Sequence, residues 1–231
     1  MKMGFNVAVD GPAGAGKSTV AKAAAKAAEL VYVDTGAMYR AIGLYLLEKG
    51  ADIRDEEAVK KLLPEISVSI VYEEGVQKVL LNGNDVSGRI RTQEVGEAAS
   101  VTSAYGAVRE KLLHLQRELA ASSDVIMDGR DIGTNILPDA DLKVYLTAAV
   151  SVRAKRRYTE LVEKGEEADL SEIEKEIEER DERDMHREIA PLKKAPEAVL
   201  LDTSDMNIDQ AVKALLVLIF ERRIKRLACE Q

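Results

Sequence analysis

The sequence predicts an α/β fold: a parallel sheet of five strands with helices on both faces, interrupted by a small antiparallel insert. Three observations carry this. Short apolar runs at Phe5–Val9, Val31–Val33, Val125–Met127, Leu142–Leu146 and Ala198–Leu201 alternate with helical segments. A glycine-rich turn follows the first run directly. From Ile66 to about Ile90 the apolar period drops to two, the period of a half-buried strand.

Each element has a local reason. Phe5–Val9 is a buried strand that enters the tight turn Asp10-Gly11-Pro12. Lys17–Leu30, rich in Ala and Lys, is the first helix, and Met38–Lys49 is a second, stopped by Gly50. Asp55–Leu63 is a short helix with acidic residues at its start and Pro64 just past its end. Ile66, Val68 and Ile70 then alternate with Ser67, Ser69 and Val71. Glu73-Glu74-Gly75 supplies a turn, Val76–Leu81 returns, and Asn82-Gly83-Asn84 turns again. Val108, Leu112, Leu115 and Leu119 mark a helix with one apolar face. Val125–Met127 runs into Asp128-Gly129-Arg130-Asp131, and Leu142–Leu146 precedes a helix from Ser151 that carries Arg153, Arg156 and Arg157. Ser171–Arg187 is nearly all charged apart from Ile173 and Ile177, so this helix is expected to be exposed, mobile or ordered by ligand. The helix from Ile208 ends in Arg222-Arg223-Ile224-Lys225-Arg226, charges that suit a helix C-terminus.

Composition narrows the function. The 231 residues are 46% hydrophobic and 32% charged, which argues against a membrane protein and against a disordered chain. With 33 Lys and Arg against 41 Asp and Glu, the net charge is −8. That is a poor prior for a general nucleic-acid binder, whereas a pocket for a small anion depends only on local charges. Cys229 is the only cysteine, so no intrachain disulfide or Cys-rich zinc site can form, and it reads as a tail thiol rather than a nucleophile. Val7–Val9 runs into Asp10 too soon for a signal-peptide core, and no apolar stretch reaches the ~18 residues of a membrane span. The expected compartment is the cytoplasm.

Three motifs end strands. Gly11-Pro12-Ala13-Gly14-Ala15-Gly16-Lys17-Ser18 fits G-x4-G-K-[ST] between an apolar strand and a helix. In that P-loop pattern, glycines turn consecutive N–H groups toward phosphate oxygens and the helix N-terminus adds positive potential. Lys17 supplies a charge to the β/γ phosphates, and the Ser18 hydroxyl a ligand for Mg²⁺. A surface turn rich in glycine would need neither flanking element. The fold expected is therefore the three-layer P-loop NTPase type. Asp34-Thr35-Gly36-Ala37-Met38-Tyr39-Arg40 follows the second strand at the same sheet edge, where it either holds a second substrate or caps the next helix. Asp128-Gly129-Arg130-Asp131 offers a carboxylate on the Mg²⁺ side, or else a salt-bridged turn. Arg180, Arg183 and Arg187 share a helix face with Asp181 and Asp184 nearby, an arrangement also found on solvated helices. His114 and His186 lack metal-ligand spacing.

Taken together, G-P-A-G-A-G-K-S-T at 11–19, D-T-G-A-M-Y-R at 34–40, S-G-R-I-R-T at 87–92, D-G-R-D-I-G-T at 128–134 and E-R-D-E-R-D-M-H-R at 179–187 resemble bacterial-type cytidylate kinases, over effectively the whole chain. The resemblance implies transfer of the ATP γ-phosphoryl group to CMP or dCMP, with Mg²⁺, by a monomer. It implies a single kinase domain over 1–231, with a core at 1–65 and 91–231, a monophosphate-binding insert near 66–90 and a helical lid near 158–190. It places ATP on Gly11, Pro12, Ala13, Gly14, Ala15, Gly16, Lys17, Ser18 and Thr19. It assigns the acceptor nucleotide to Asp34, Thr35, Arg40, Arg91, Ser100, Arg109, Arg130, Asp131, Arg180, Asp184 and Arg187. Catalytic charge would come from Lys17, Arg130, Arg157, Arg180 and Arg187. Thr35 departs from the serine frequent in the family, keeping the hydroxyl and adding a methyl. Two alternatives stay open at this level: a P-loop kinase for another small acceptor, such as shikimate, dephospho-coenzyme A or a different nucleotide, and a nucleotide-binding module that switches or hydrolyses slowly. The arginines beyond the P-loop favour two phosphate groups over a switch.

Overall fold

Apolar residues on both faces of the strands need cover on both sides, and the chain supplies it. A computed structural model describes residues 4–229; the Cys229 side chain lies outside the described residues. The main sheet uses β1 (Asn6–Asp10), β2 (Val31–Asp34), β6 (Val125–Gly129), β7 (Leu142–Thr147) and β8 (Val199–Asp202), all parallel, in the order β2-β6-β1-β7-β8. The three-layer arrangement expected from the sequence is present. Val7 and Val9 face α1 (Lys17–Ala27) and α8 (Ile208–Cys229) in one apolar cluster. Ala8, one residue out of phase, faces the other layer, built from α2 (Thr35–Glu48) and α5 (Gly106–Ser122).

The insert is larger than a hairpin. β3 (Val68–Glu73) and β4 (Val76–Leu81) pair antiparallel, and a short third strand, β5 (Asn84–Asp85), adds to β4. Both connections are two-residue turns: Glu74-Gly75 has φ of 50° and 75°, and Asn82-Gly83 has 49° and 82°. Two successive left-handed residues match the twist of the flanking strands, which is why Gly stands second in each. The insert is also tied to the core. The Gln77 amide accepts from the Asp34 backbone N–H at 2.8 Å and donates to its carbonyl at 3.2 Å, and the Tyr72 hydroxyl donates to the Tyr32 carbonyl at 3.1 Å.

Two expectations change. Besides α3 (Glu56–Leu62), a helix not foreseen, α4 (Gln93–Thr102), packs on α2, and a single π-type turn covers Ile132–Ile136. The charged helix, α7 (Leu170–His186), is not simply exposed. Ile173 and Ile177 bury against Ala154 of α6 (Val150–Glu163), and Asp181 and Asp184 are buried as well. The basic end of α8 is taken up by the protein itself. Arg226 pairs with Asp141 at 3.0 Å, and Arg223 donates to the Ala28 carbonyl at 3.0 Å and lies 5.2 Å from the Phe5 ring.

Candidate active site

Parallel strands bring their carboxyl ends to one edge. The register pairs Asp10 with Gly129 and Asp34 with Asp128, so the loops after β1, β2 and β6 meet side by side. The P-loop wraps the end of β1. Its first glycine is required by contact: at Gly11, with φ of 151°, a Cβ would stand 1.9 Å from the Leu146 carbonyl oxygen of β7.

Lys17 is buried at the base of this loop and donates from Nζ to the Pro12 carbonyl at 2.7 Å. Burial, and then repulsion from Arg130, push its ammonium down from 10.5 to about 7. Ser18 Oγ donates to Asp128 Oδ2 at 2.8 Å, and the Tyr32 hydroxyl donates to Asp128 Oδ1 at 2.9 Å. Desolvation first, then Asp34, raise Asp128 to about 6. Asp10 is raised to about 6 by burial, although it accepts the Ile132 and Gly133 N–H groups at 2.7 and 2.8 Å. These two bonds hang the turn after Asp131 on the last residue of β1. The Ser18 hydroxyl and the Asp128 carboxylate are hard oxygen donors of the kind Mg²⁺ takes alongside phosphate and water. Among the described residues no group of three or more His, Cys, Asp or Glu could hold a metal unaided.

Opposite the P-loop lie the predicted acceptor residues. Asp34 takes the capping role: Oδ1 caps α2 by accepting from the Ala37 N–H at 2.9 Å, while Oδ2 accepts from Arg91 at 2.8 Å. The Thr35 hydroxyl is turned inward and donates to the Asp128 carbonyl at 2.7 Å, so in this structure it ties the start of α2 to β6. Arg40 donates to the Ile90 carbonyl at 3.2 Å. Asp131 is a buried hub: it accepts from Arg109, from Asn135 at 3.1 Å and from Arg187 at 3.2 Å. Tyr39 lies under Arg109, 5.7 Å from ring centre to guanidinium. Arg130 donates from Nε to Asp184 at 2.8 Å, which brings α7 over the same edge. Arg157 pairs with Glu160 at 3.2 Å on α6.

The site carries more positive charge than its carboxylates balance. Burial, then neighbouring cations, hold down Arg40 beside Arg91, Arg187 beside Arg109, and Arg180 beside Arg130, the last to about 10. Ser100 Oγ, Arg109 Nε and Arg180 Nε are buried with no hydrogen-bond partner among the described residues. Unpaired buried donors beside crowded cations suit a ligand rich in acceptor atoms and carrying negative charge, as a nucleotide does. Sequence reasoning missed Tyr32, Asp10 and Gln77, which have no motif of their own. Arg153 and Asp181 carried one weak signal: each stands where an apolar residue would have continued a buried face.

A family profile described as Cytidylate kinase matches residues 7–221 of this chain. The chain is 50% identical over 226 residues to a protein named Cytidylate kinase from Lactobacillus johnsonii, covering 96% of this chain and 98% of that one. It is 48% identical over 221 residues to a protein of that name from Shouchella clausii, with 96% and 98% covered. A third, from Carboxydothermus hydrogenoformans, is 46% identical over 215 residues, with 93% and 97% covered. Profile and relatives span the P-loop, the insert and the arginine-rich helix alike, and on that basis this chain belongs to the cytidylate kinase family.

Proposed function

We propose that this protein transfers the γ-phosphoryl group of ATP to CMP, and to dCMP, giving CDP or dCDP and ADP. The observation that supports it best is the crowding of arginines, with unpaired buried donors on Ser100, Arg109 and Arg180, at the sheet edge that carries the P-loop. A hydrolase or switch needs one phosphate site; here Arg40, Arg91, Arg109 and Arg187 stand beyond it.

In this reading Gly11–Thr19 wraps the ATP phosphates and Lys17 charges the β/γ pair. Ser18 and Asp128 would hold Mg²⁺, which would supply positive charge against the phosphate oxygens. Arg40 and Arg91 hold the acceptor phosphate. Asp131, between Arg109 and Arg187, reads the base together with Ser100, and Asp184 with Arg180 approaches the sugar. Arg130, Arg157, Arg180 and Arg187 collect the charge that spreads over the transferring group. No general base is needed, because the acceptor phosphate is already an anion at pH 7. The segments near 66–90 and 158–190 act as acceptor insert and lid, and closure of the lid excludes water that would otherwise take the phosphoryl group. We place the reaction in the cytoplasm.

A coupled assay of ADP release with each nucleoside monophosphate tests the reading. ADP formation should depend on added acceptor and be fastest with CMP or dCMP. Acceptor-independent ADP release, or a preference for AMP, GMP, UMP, shikimate or dephospho-coenzyme A, would overturn it.

A further inference from the structure

One face of α7 runs Ile173, Ile177, Asp181, Asp184, and all four residues are buried. The first two pack on Ala154 of α6. Where the apolar stripe would continue, two carboxylates replace it. Asp184 meets Arg130, as described above. Asp181 Oδ2 accepts from Arg153 Nη2 at 2.6 Å, with Arg153 only 3% exposed. The same guanidinium donates from Nη1 to the Ala13 carbonyl of the P-loop at 2.9 Å and from Nε to the Ala148 carbonyl beyond β7 at 2.9 Å. One side chain therefore joins the loop that wraps phosphates, the end of a central strand, and the helix that carries Arg180 and Arg187.

We infer that Arg153 and Asp181 are a positioning pair that sets the P-loop backbone and the azimuth of α7 against each other. The inference rests on the phosphoryl-transfer reading above. A guanidinium is suited to this because its donors point in fixed directions from one plane; an ammonium on a flexible stem cannot hold the same three acceptors at that geometry. Asp181 Oδ1 is buried without a partner among the described residues, so this carboxylate depends on Arg153 for its polar contact. Apolar packing alone lets a helix slide or roll, whereas a buried ionic contact is satisfied in one orientation. That orientation fixes Arg180, the residue next to Asp181, relative to the phosphates held at Ala13. A misplacement of about 1 Å is enough to cost ~10²-fold in a reaction that runs on alignment.

Arg153→Lys, Asp181→Asn and the double variant test this, with ADP affinity measured by calorimetry and with kcat and both KM values. Each single variant should bind ADP about tenfold or more weakly and lose about tenfold or more in kcat, while KM for CMP moves less than about threefold. The double variant should be no more than about threefold worse than the poorer single, since both remove one contact. Folded single variants with wild-type ADP affinity and kcat would overturn the inference, as would losses that multiply in the double variant. A lower melting temperature with unchanged kinetics would assign the pair to folding alone and overturn it equally. Should Arg153→Lys fail to fold, Asp181→Asn decides by the same criteria. A wild-type protein that binds ADP but ignores CMP overturns the functional reading, and the ADP affinities then judge the pair.

Discussion

Replacing Lys17 with methionine should make the apoprotein more stable and the enzyme nearly inactive. The ammonium sits at the base of the P-loop, where among the described residues it donates to the Pro12 carbonyl, and burial with Arg130 beside it holds it down from 10.5 to about 7. At ~1.4 kcal/mol for each tenfold change in proton affinity, keeping this lysine folded at pH 7 costs about 4 kcal/mol relative to the unfolded chain. Methionine fills much of the same volume without the charge. It forfeits the Pro12 bond, worth about 1 kcal/mol, while the attraction between Lys17 and Asp128, Asp184 and Asp10 is already contained in the depressed value. A net gain of about 2–3 kcal/mol remains, or roughly 5–10 °C in Tm for a chain of this size. The sign with pH is fixed by the direction of the shift. A lysine whose folded value is depressed binds fewer protons folded than unfolded between about 7 and 10.5. Wild-type stability therefore rises with pH across that window, and the advantage of methionine is full at or below pH 7 and closes toward pH 10. Turnover should fall about 10²-fold or more, since a charge-assisted phosphate contact contributes about 1.5–3 kcal/mol before transition-state charge is counted. Differential scanning calorimetry of the apoproteins at pH 7 and pH 9.5, with a coupled turnover assay, reads both effects. An unchanged or lower Tm at pH 7, or more than half of wild-type turnover, refutes the reasoning.

The two arginines of α7 should separate in the apoprotein. Arg180→Ala removes a cation that burial and Arg130 disfavour and should leave Tm unchanged or raised, whereas Arg187→Ala strips a partner from Asp131 and from the Ala190 carbonyl and should cost about 1–3 kcal/mol. Both should lower turnover strongly, and near-normal turnover in either variant would remove it from the catalytic set. Asp10 and Asp128, each raised to about 6, hold protons in the folded state that the unfolded chain has already released; the stability this contributes is full below 3.8 and lost as pH rises through 6. Apoprotein stability should thus fall by about 1 kcal/mol per carboxylate between pH 5 and pH 7, and Asp128→Asn should roughly halve the drop in Tm across a buffer series. Asp131→Asn should lower CMP use and narrow the CMP-to-UMP ratio of kcat/KM, because an amide can donate where a carboxylate only accepts; a folded variant with an unchanged ratio would take Asp131 out of base recognition.

Features coded by neighbouring residues are legible in the sequence itself. The P-loop is one, since its shape comes from glycines, a lysine and a serine within a single short segment flanked by strand and helix. The strands of the main sheet and the turns at Glu74-Gly75 and Asn82-Gly83 are others, because period and left-handed backbone are local properties. Helix α4 is not legible in that way. Its stretch Gln93–Thr102 contains Gly96 and several residues of weak helical preference. It is held because Gly43 of α2 lets it approach so closely that a Cβ there would stand 3.0 Å from the Ala99 backbone nitrogen. The partners within the site are no more visible. Thr35 spends its hydroxyl on Asp128, 93 residues away, Asp131 gathers Arg109 and Arg187, and Arg153 reaches Ala13 across 140 residues. The motifs show which side chains bear charge; which charges neutralise one another, and which are left for a ligand, depends on the order in which the strands assemble into the sheet. That order is set by burying both faces of the strands at once, a condition on the whole chain that no segment carries alone.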